Sequence, residues 1–136
     1  MKTINLSILS LSLAVPAIIQ AQDKRPNVVL IYADDIGYGD LQCYGAKNVK
    51  TPNIDRLANN GIRFTNAHSV ASVSTPSRYG ILTGEYPWRR EGTNVANGDA
   101  AMIIKPEQLT VADVFKEAGY ATAAIGKWHL GLGDEA

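Results

Sequence analysis

The chain has almost no cysteine and no net charge. Its 136 residues include one cysteine, Cys43, and 13 Lys+Arg balance 13 Asp+Glu. A single thiol excludes an intramolecular disulfide framework and a thiolate zinc site. Zero formal charge at 19% charged residues excludes a domain that neutralises phosphates with a basic excess, so no nucleic acid is expected as a partner. Six Pro and twelve Gly are too few for a disordered or collagen-like chain, and there is no internal repeat or low-complexity segment. What is there is an apolar fraction of 46%, typical of a globular protein, and a length that bounds it at one domain.

The longest apolar run stands at the N-terminus. Met1 and Lys2 supply a short positive start, and residues 4–19 form an apolar run diluted only by Asn5, Ser and one Pro, before Gln20, Ala21 and Gln22. This pattern predicts a secretory signal peptide over 1–21, leaving 22–136 as the mature chain. The run is shorter than the roughly 20 residues of a membrane span and carries Pro16 near its end, so no stable membrane anchor is expected. No Cys follows it, which argues against a lipoprotein anchor. The expected destination is the periplasm or the exterior.

Beyond residue 22 the pattern alternates. The β-branched-rich run 27–33 (NVVLIYA) fits a strand buried on both faces of a parallel sheet. Thr51 and Pro52 open a helix that Gly61 stops. Residues 62–65 suggest a short strand, and 77–82 a helix beginning just after Pro76 with Gly84 beyond its end. Residues 84–98, rich in Gly, Asn, Pro and Arg, read as a long surface loop. Thr110 with Asp113 three residues on resembles a capping box, and Val111, Val114, Phe115 and Ala118 recur at helical spacing before Gly119. Residues 120–125 (YATAAI) form a second candidate buried strand. Strand, helix, strand, helix, strand predicts an α/β fold with a mostly parallel sheet flanked by helices.

Three clusters carry chemistry. Asp34 and Asp35 follow directly on the first candidate strand, where open α/β sheets bind ligands, and paired carboxylates suit a hard divalent cation. A turn or helix cap would use the same pair. The neighbouring Gly37, Gly39 and Gly45 would permit the close turns of a metal loop. The second cluster is Ser74-Thr75-Pro76-Ser77-Arg78, and the third is Gly126-Lys127-Trp128-His129-Leu130-Gly131, directly after the last candidate strand. An extended chain there would point Lys127 and His129 into one site and Trp128 away. A neutral His suits proton transfer at physiological pH.

In this order ADDIGYGD, STPSRYGILTG and GKWHLG resemble the sulfatase family of the alkaline-phosphatase-like superfamily, and the text between them resembles it too. The resemblance implies that Ser74 is oxidised to formylglycine, in the serine-type variant matured in bacteria by a radical S-adenosylmethionine enzyme. The geminal diol of that group attacks sulfur with one hydroxyl and expels sulfate with the other, regenerating the aldehyde. It further implies that Asp34, Asp35 and the modified Ser74 hold one Ca²⁺, that Arg78 braces the diol, and that Lys127 touches sulfate. His129 would be the base that collapses the sulfated intermediate. Cys43 lies outside the signature, and His68, with no motif around it, reads as a loop or packing residue.

The expected activity is hydrolysis of a sulfate ester, on a sulfated small molecule or glycan. A phosphomonoester or phosphonate hydrolase of the same superfamily, or a non-catalytic product that binds sulfated glycans, are the alternatives. The loop with Trp88, Arg89 and Arg90 fits either a subsite for an anionic sugar or an exposed basic surface. The family's later metal and sulfate ligands have no counterpart before residue 136, and three oxygens are about half of the six to eight that Ca²⁺ takes. The chain is therefore expected to be the N-terminal part of a catalytic domain, inactive alone.

Overall fold

A computed structural model of the chain describes residues 25–133. The predicted signal peptide lies outside the described residues. The chain divides after Tyr32 into two compact units. In the first, residues 25–32 form no helix or strand, and Val29 and Ile31 are 81% and 79% exposed.

The second unit is built on three helices, each starting where local chemistry permits. Helix α1 (Pro52–Asn60) has Thr51 as N-cap, Pro at its first position and Gly61 as C-cap. A proline costs nothing there because the first N–H groups of a helix have no internal partner. Thr51 does not cap by its side chain. Its hydroxyl donates to Asp55 Oδ1 at 3.2 Å and accepts from the Gln42 N–H at 2.9 Å. Asp55 in turn accepts from the Cys43 N–H at 2.9 Å. Two 3₁₀ turns follow the acidic pair, Tyr38–Asp40 and Gln42–Tyr44, and these bonds tie the second to the start of α1.

Helix α2 (Ser74–Thr83) begins three residues before the position predicted from Pro76. The residue before a proline disfavours helical geometry, which places the expected boundary after Pro76. In the structure Pro76 falls in the first turn, where a missing N–H is tolerated. Gly84 closes the helix at φ +69°, its N–H donating to the Gly80 carbonyl at 2.9 Å. Helix α3 (Val111–Glu117) carries the predicted capping box, with the Thr110 hydroxyl accepting from the Asp113 N–H and the Asp113 carboxylate from the Thr110 N–H. Residues 84–98 are the expected loop, broken only by a 3₁₀ turn at Pro87–Arg89.

The three segments read as strands carry no β-ladder among the described residues. The one bridge is parallel, between Ala101 and Gly133. Burial of a parallel strand comes from neighbouring strands and from helices on both faces. Without them Ile125 is fully exposed.

The core lies behind α2. Tyr79 and Leu130 are fully buried, Ile104 is nearly so, and Leu82, Ile103 and Trp128 pack around them. Burying each of the large side chains contributes about 2 kcal/mol. Backbone bonds then run the two outer segments side by side: Ile103 N–H to Leu130 O and Met102 N–H to Gly133 O, both 2.9 Å. Gly131 makes this approach feasible. Its φ is +73°, and a Cβ there would sit 2.0 Å from the Ala101 carbonyl oxygen. The core thus fixes the start of α2 against residues 127–130.

Candidate active site

Helix periodicity brings Ser74 and Arg78 onto one face of α2, one turn apart. Both reach the same carboxylate oxygen. Ser74 Oγ donates to Asp34 Oδ1 at 3.1 Å, and Arg78 Nη2 lies 3.2 Å from it. Lys127 closes the cluster, its Nζ donating to Asp34 Oδ2 at 2.6 Å and to Ser74 Oγ at 2.9 Å. Arg78 also donates through Nη1 to the Lys127 carbonyl at 2.6 Å, so the guanidinium braces the backbone that presents the lysine. Four of the six predicted site residues therefore meet at one point.

The charges determine the protonation there. Lys127 beside Asp34, followed by bonds from Ser74 and Arg78, outweighs desolvation and lowers the Asp34 carboxyl from 3.8 to about 2. Asp34 is ionised at any physiological pH and accepts a hydrogen bond from the Ser74 hydroxyl. Lys127 donates to the same hydroxyl oxygen, which favours negative charge developing on it. The Asp34 and Lys127 side chains remain 37% and 46% exposed. At that exposure the ion pairs orient side chains more than they stabilise the fold.

The other two predicted residues sit differently. Asp35 follows Asp34 at φ +56°, and His129 has φ +54°. They are the only non-glycine residues with positive φ among those described, a conformation that is uncommon outside glycine and clusters at functional sites. The left-handed turn at His129 overrides the alternation expected of an extended chain. Lys127 reaches Ser74, whereas the His129 ring bonds through Nε2 to the Ala96 carbonyl at 3.1 Å and not to Ser74. Of Gly37, Gly39 and Gly45, only Gly45 takes a positive φ, at +105°.

The donors at the acidic pair are all oxygen, which fits a hard divalent cation. Among the described residues no group of three or more His, Cys, Asp or Glu gathers to hold a metal ion. Asp34 and Ser74 bring two oxygens within 3.1 Å of each other that could serve a cation, with Asp35 next in the chain.

Residues that the sequence pattern did not single out complete the surroundings. Thr75, between Ser74 and Pro76, is fully buried and bonds to the His129 carbonyl and the Ala96 N–H. Tyr79 donates to Glu85, which also pairs with Arg90, and accepts from Gln108 Nε2 at 2.8 Å. The Tyr79 bond first, and Arg90 next, lower the Glu85 carboxyl. Helical spacing is the signal that connects them: Thr75 and Tyr79 form a second stripe beside Ser74 and Arg78. Along the 87–94 loop lies an open groove of about 600 Å³, bordered by Pro76, Trp88, Arg89 and Arg90. Arg89 stacks on Trp88, with its guanidinium 5.3 Å from the ring centroid. Cys43 is half-buried, with its N–H bonded to Asp55. His68 is exposed and bonds to Asn66 at 2.8 Å, as expected of a loop residue.

The family model described as Sulfatase matches residues 26–136. The chain is 58% identical over 110 residues to an N-acetylgalactosamine-6-O-sulfatase of Bacteroides thetaiotaomicron, a match covering 81% of this chain and 22% of that protein. It is 47% identical over 115 residues to arylsulfatase A of Homo sapiens, covering 82% and 22%. A solved Bacteroides thetaiotaomicron structure, described with the metabolism of multiple glycosaminoglycans, superposes with a TM-score of 0.79 at 58% identity. That match covers 82% of this chain and 23% of the solved one. The chain spans about a fifth of the length of the curated relatives it matches.

Proposed function

The chain belongs to the sulfatase family, and from that premise we propose that it supplies the nucleophile-bearing part of an exported sulfatase. The enzyme releases inorganic sulfate from a sulfate ester of a glycan. The observation that carries this reading is the contact of Ser74 Oγ with both Asp34 and Lys127. A hydroxyl between a carboxylate and an ammonium has a place for its proton and a counter-charge for its oxygen.

Formylglycine made from Ser74 by a radical S-adenosylmethionine enzyme would, once hydrated, supply a second hydroxyl on the same carbon, so that sulfate could leave without water attacking sulfur. Asp34, Asp35 and the Ser74-derived oxygen would hold Ca²⁺, which supplies positive charge against the substrate's anionic oxygens. The chain's own residues do the rest. Lys127 stabilises charge on the nucleophilic oxygen and faces the sulfate group. Arg78 fixes Asp34 and the carbonyl of Lys127, keeping both aligned. His129 would take up the proton released when the second hydroxyl of that group expels sulfate. The groove beside Pro76, with Trp88 and Arg89 at its edge, is suited to the sugar that carries the ester. In the complete catalytic domain, residues 27–33 and 120–125 take their places in a mostly parallel sheet. The catalytic domain begins near residue 22, behind a signal peptide over 1–21 that directs export to the periplasm or exterior.

The test is mass spectrometry of the tryptic peptide 64–78 from the full-length protein co-expressed with a maturation enzyme. Loss of two hydrogens at Ser74, together with hydrolysis of 4-nitrophenyl sulfate, is the expected result. An unmodified Ser74 in a protein that cleaves phosphate monoesters and not sulfate would overturn it.

A further inference from the structure

Three hydrogen bonds close a ring behind the nucleophile. The Thr75 hydroxyl donates to the His129 carbonyl at 2.9 Å and accepts from the Ala96 N–H at 3.0 Å. The Ala96 carbonyl bonds to His129 Nε2 at 3.1 Å. The ring joins three segments distant in sequence, and Thr75 at its centre is fully buried. Water therefore cannot replace any partner of Thr75, and its hydroxyl uses its only proton on His129.

The ring has two consequences for His129. A carbonyl oxygen can only accept, so the Nε2 that faces Ala96 carries the hydrogen. Nδ1 then keeps its lone pair, and that atom is buried with no hydrogen-bond partner among the described residues. The other tautomer would set the Nε2 lone pair against a carbonyl lone pair and bury an unsatisfied Nδ1–H. The second consequence is conformational. The backbone of His129 is left-handed, at φ +54°, and its carbonyl is the group that Thr75 holds. Leu130, fully buried, and Gly131, crowded against Ala101, pin the chain on its other side.

We propose that Thr75 is a positioning residue: with the Ala96 peptide it locks His129 in the left-handed conformation and the Nε2–H tautomer. Nδ1 is thereby the nitrogen that accepts a proton during turnover. The catalytic part of this proposal rests on the sulfatase reading, whereas the tautomer does not. Thr75 occupies the motif position that bears no reacting group, and its β-branch restricts the side chain to few rotamers. A residue beside the nucleophile thus sets the protonation pattern of a histidine 54 residues away.

The experiment uses the full-length protein with uniformly ¹⁵N-labelled histidine, comparing Thr75→Val and Thr75→Ser with the parent. Long-range ¹H–¹⁵N correlations, with His129 assigned through His129→Asn, report the tautomer directly. The parent and Thr75→Ser are expected to show Nε2 protonated, and Thr75→Val a mixture of both tautomers. On 4-nitrophenyl sulfate, Thr75→Val is expected to lose roughly 10- to 100-fold in kcat, the usual effect of removing a partner behind a functional histidine. Its KM should stay within about threefold, and Thr75→Ser should recover most of kcat. Thr75→Ala removes the same bonds and serves where the valine variant does not fold. A pure Nε2–H tautomer in the valine or alanine variant would overturn the proposal. So would a kcat loss that Thr75→Ser fails to rescue. If the parent shows the locked tautomer and the variant loses it while neither hydrolyses sulfate, the lock stands and the sulfatase reading falls.

Discussion

Helix α2 presents two adjacent stripes that behave in opposite ways. Ser74 and Arg78 face a partly open cluster held by charge, with Asp34 and Lys127 both more than a third exposed. Thr75 and Tyr79, each one position further along, are fully buried and held by neutral or singly charged hydrogen bonds. The first stripe places reactive groups where a ligand can reach them, at little benefit to stability, because solvent screens exposed ion pairs. The second excludes water, so its bonds have no competitor and fix geometry. Reactivity and rigidity are thus separated by one residue of helical register.

The largest expected effect falls on the first stripe. Ser74→Ala should reduce 4-nitrophenyl sulfate hydrolysis by the full-length protein on the order of 10³-fold or more. Thermal unfolding should barely move, and a large loss of stability would erase the contrast between stripes. On the second stripe the order reverses. Tyr79→Ala should cost about 3–5 kcal/mol in denaturant unfolding by opening a cavity beside Leu130 and Ile104. Tyr79→Phe, which removes the bonds to Glu85 and Gln108 while Arg90 still pairs with Glu85, should cost about 1–3 kcal/mol.

Lys127→Met tests the electrostatics of the exposed cluster. The Asp34 carboxyl should rise from about 2 toward 3.8 when its largest perturbing neighbour is removed, as read by NMR titration. The sign follows from linkage. A carboxyl lowered in the folded state contributes stability above about pH 3.8, and that contribution is lost as pH falls through about 2. Between those values the parent should therefore lose stability more steeply than Lys127→Met. Equal acid sensitivity would mean that Lys127 is not what holds Asp34 ionised. The smallest effect is expected away from both stripes. Thr110→Ala removes the capping box of α3 and should cost about 1 kcal/mol, with turnover unchanged.

Much of the helical structure was legible in the sequence. Thr51, Pro52 and Gly61 bound α1, and Thr110 with Asp113 opens α3, because caps depend on groups within a few residues of one another. The start of α2 was less legible, since Pro76 disfavours a helix just before it yet is tolerated inside a first turn. The strands were read from apolar runs at 27–33 and 120–125. Pairing depends on neighbours, and the described residues form no ladder there.

At the site, the sequence by itself determined which groups are present and in what order: an acidic pair, a Ser-Thr-Pro-Ser-Arg motif and a Lys-Trp-His motif, enough for the resemblance to the sulfatase family. Helical spacing also determined that Ser74 and Arg78 share a face. Only the tertiary structure decided that Ser74 meets Asp34 across 40 residues, that Lys127 meets Asp34 across 93, and that His129 turns to Ala96. Local motifs reflect bonds between near neighbours, which a short stretch of sequence encodes. Contacts at such separations depend on how the Tyr79–Leu130 core packs, and the left-handed turn at His129 is held by a buried hydroxyl that no local pattern reveals.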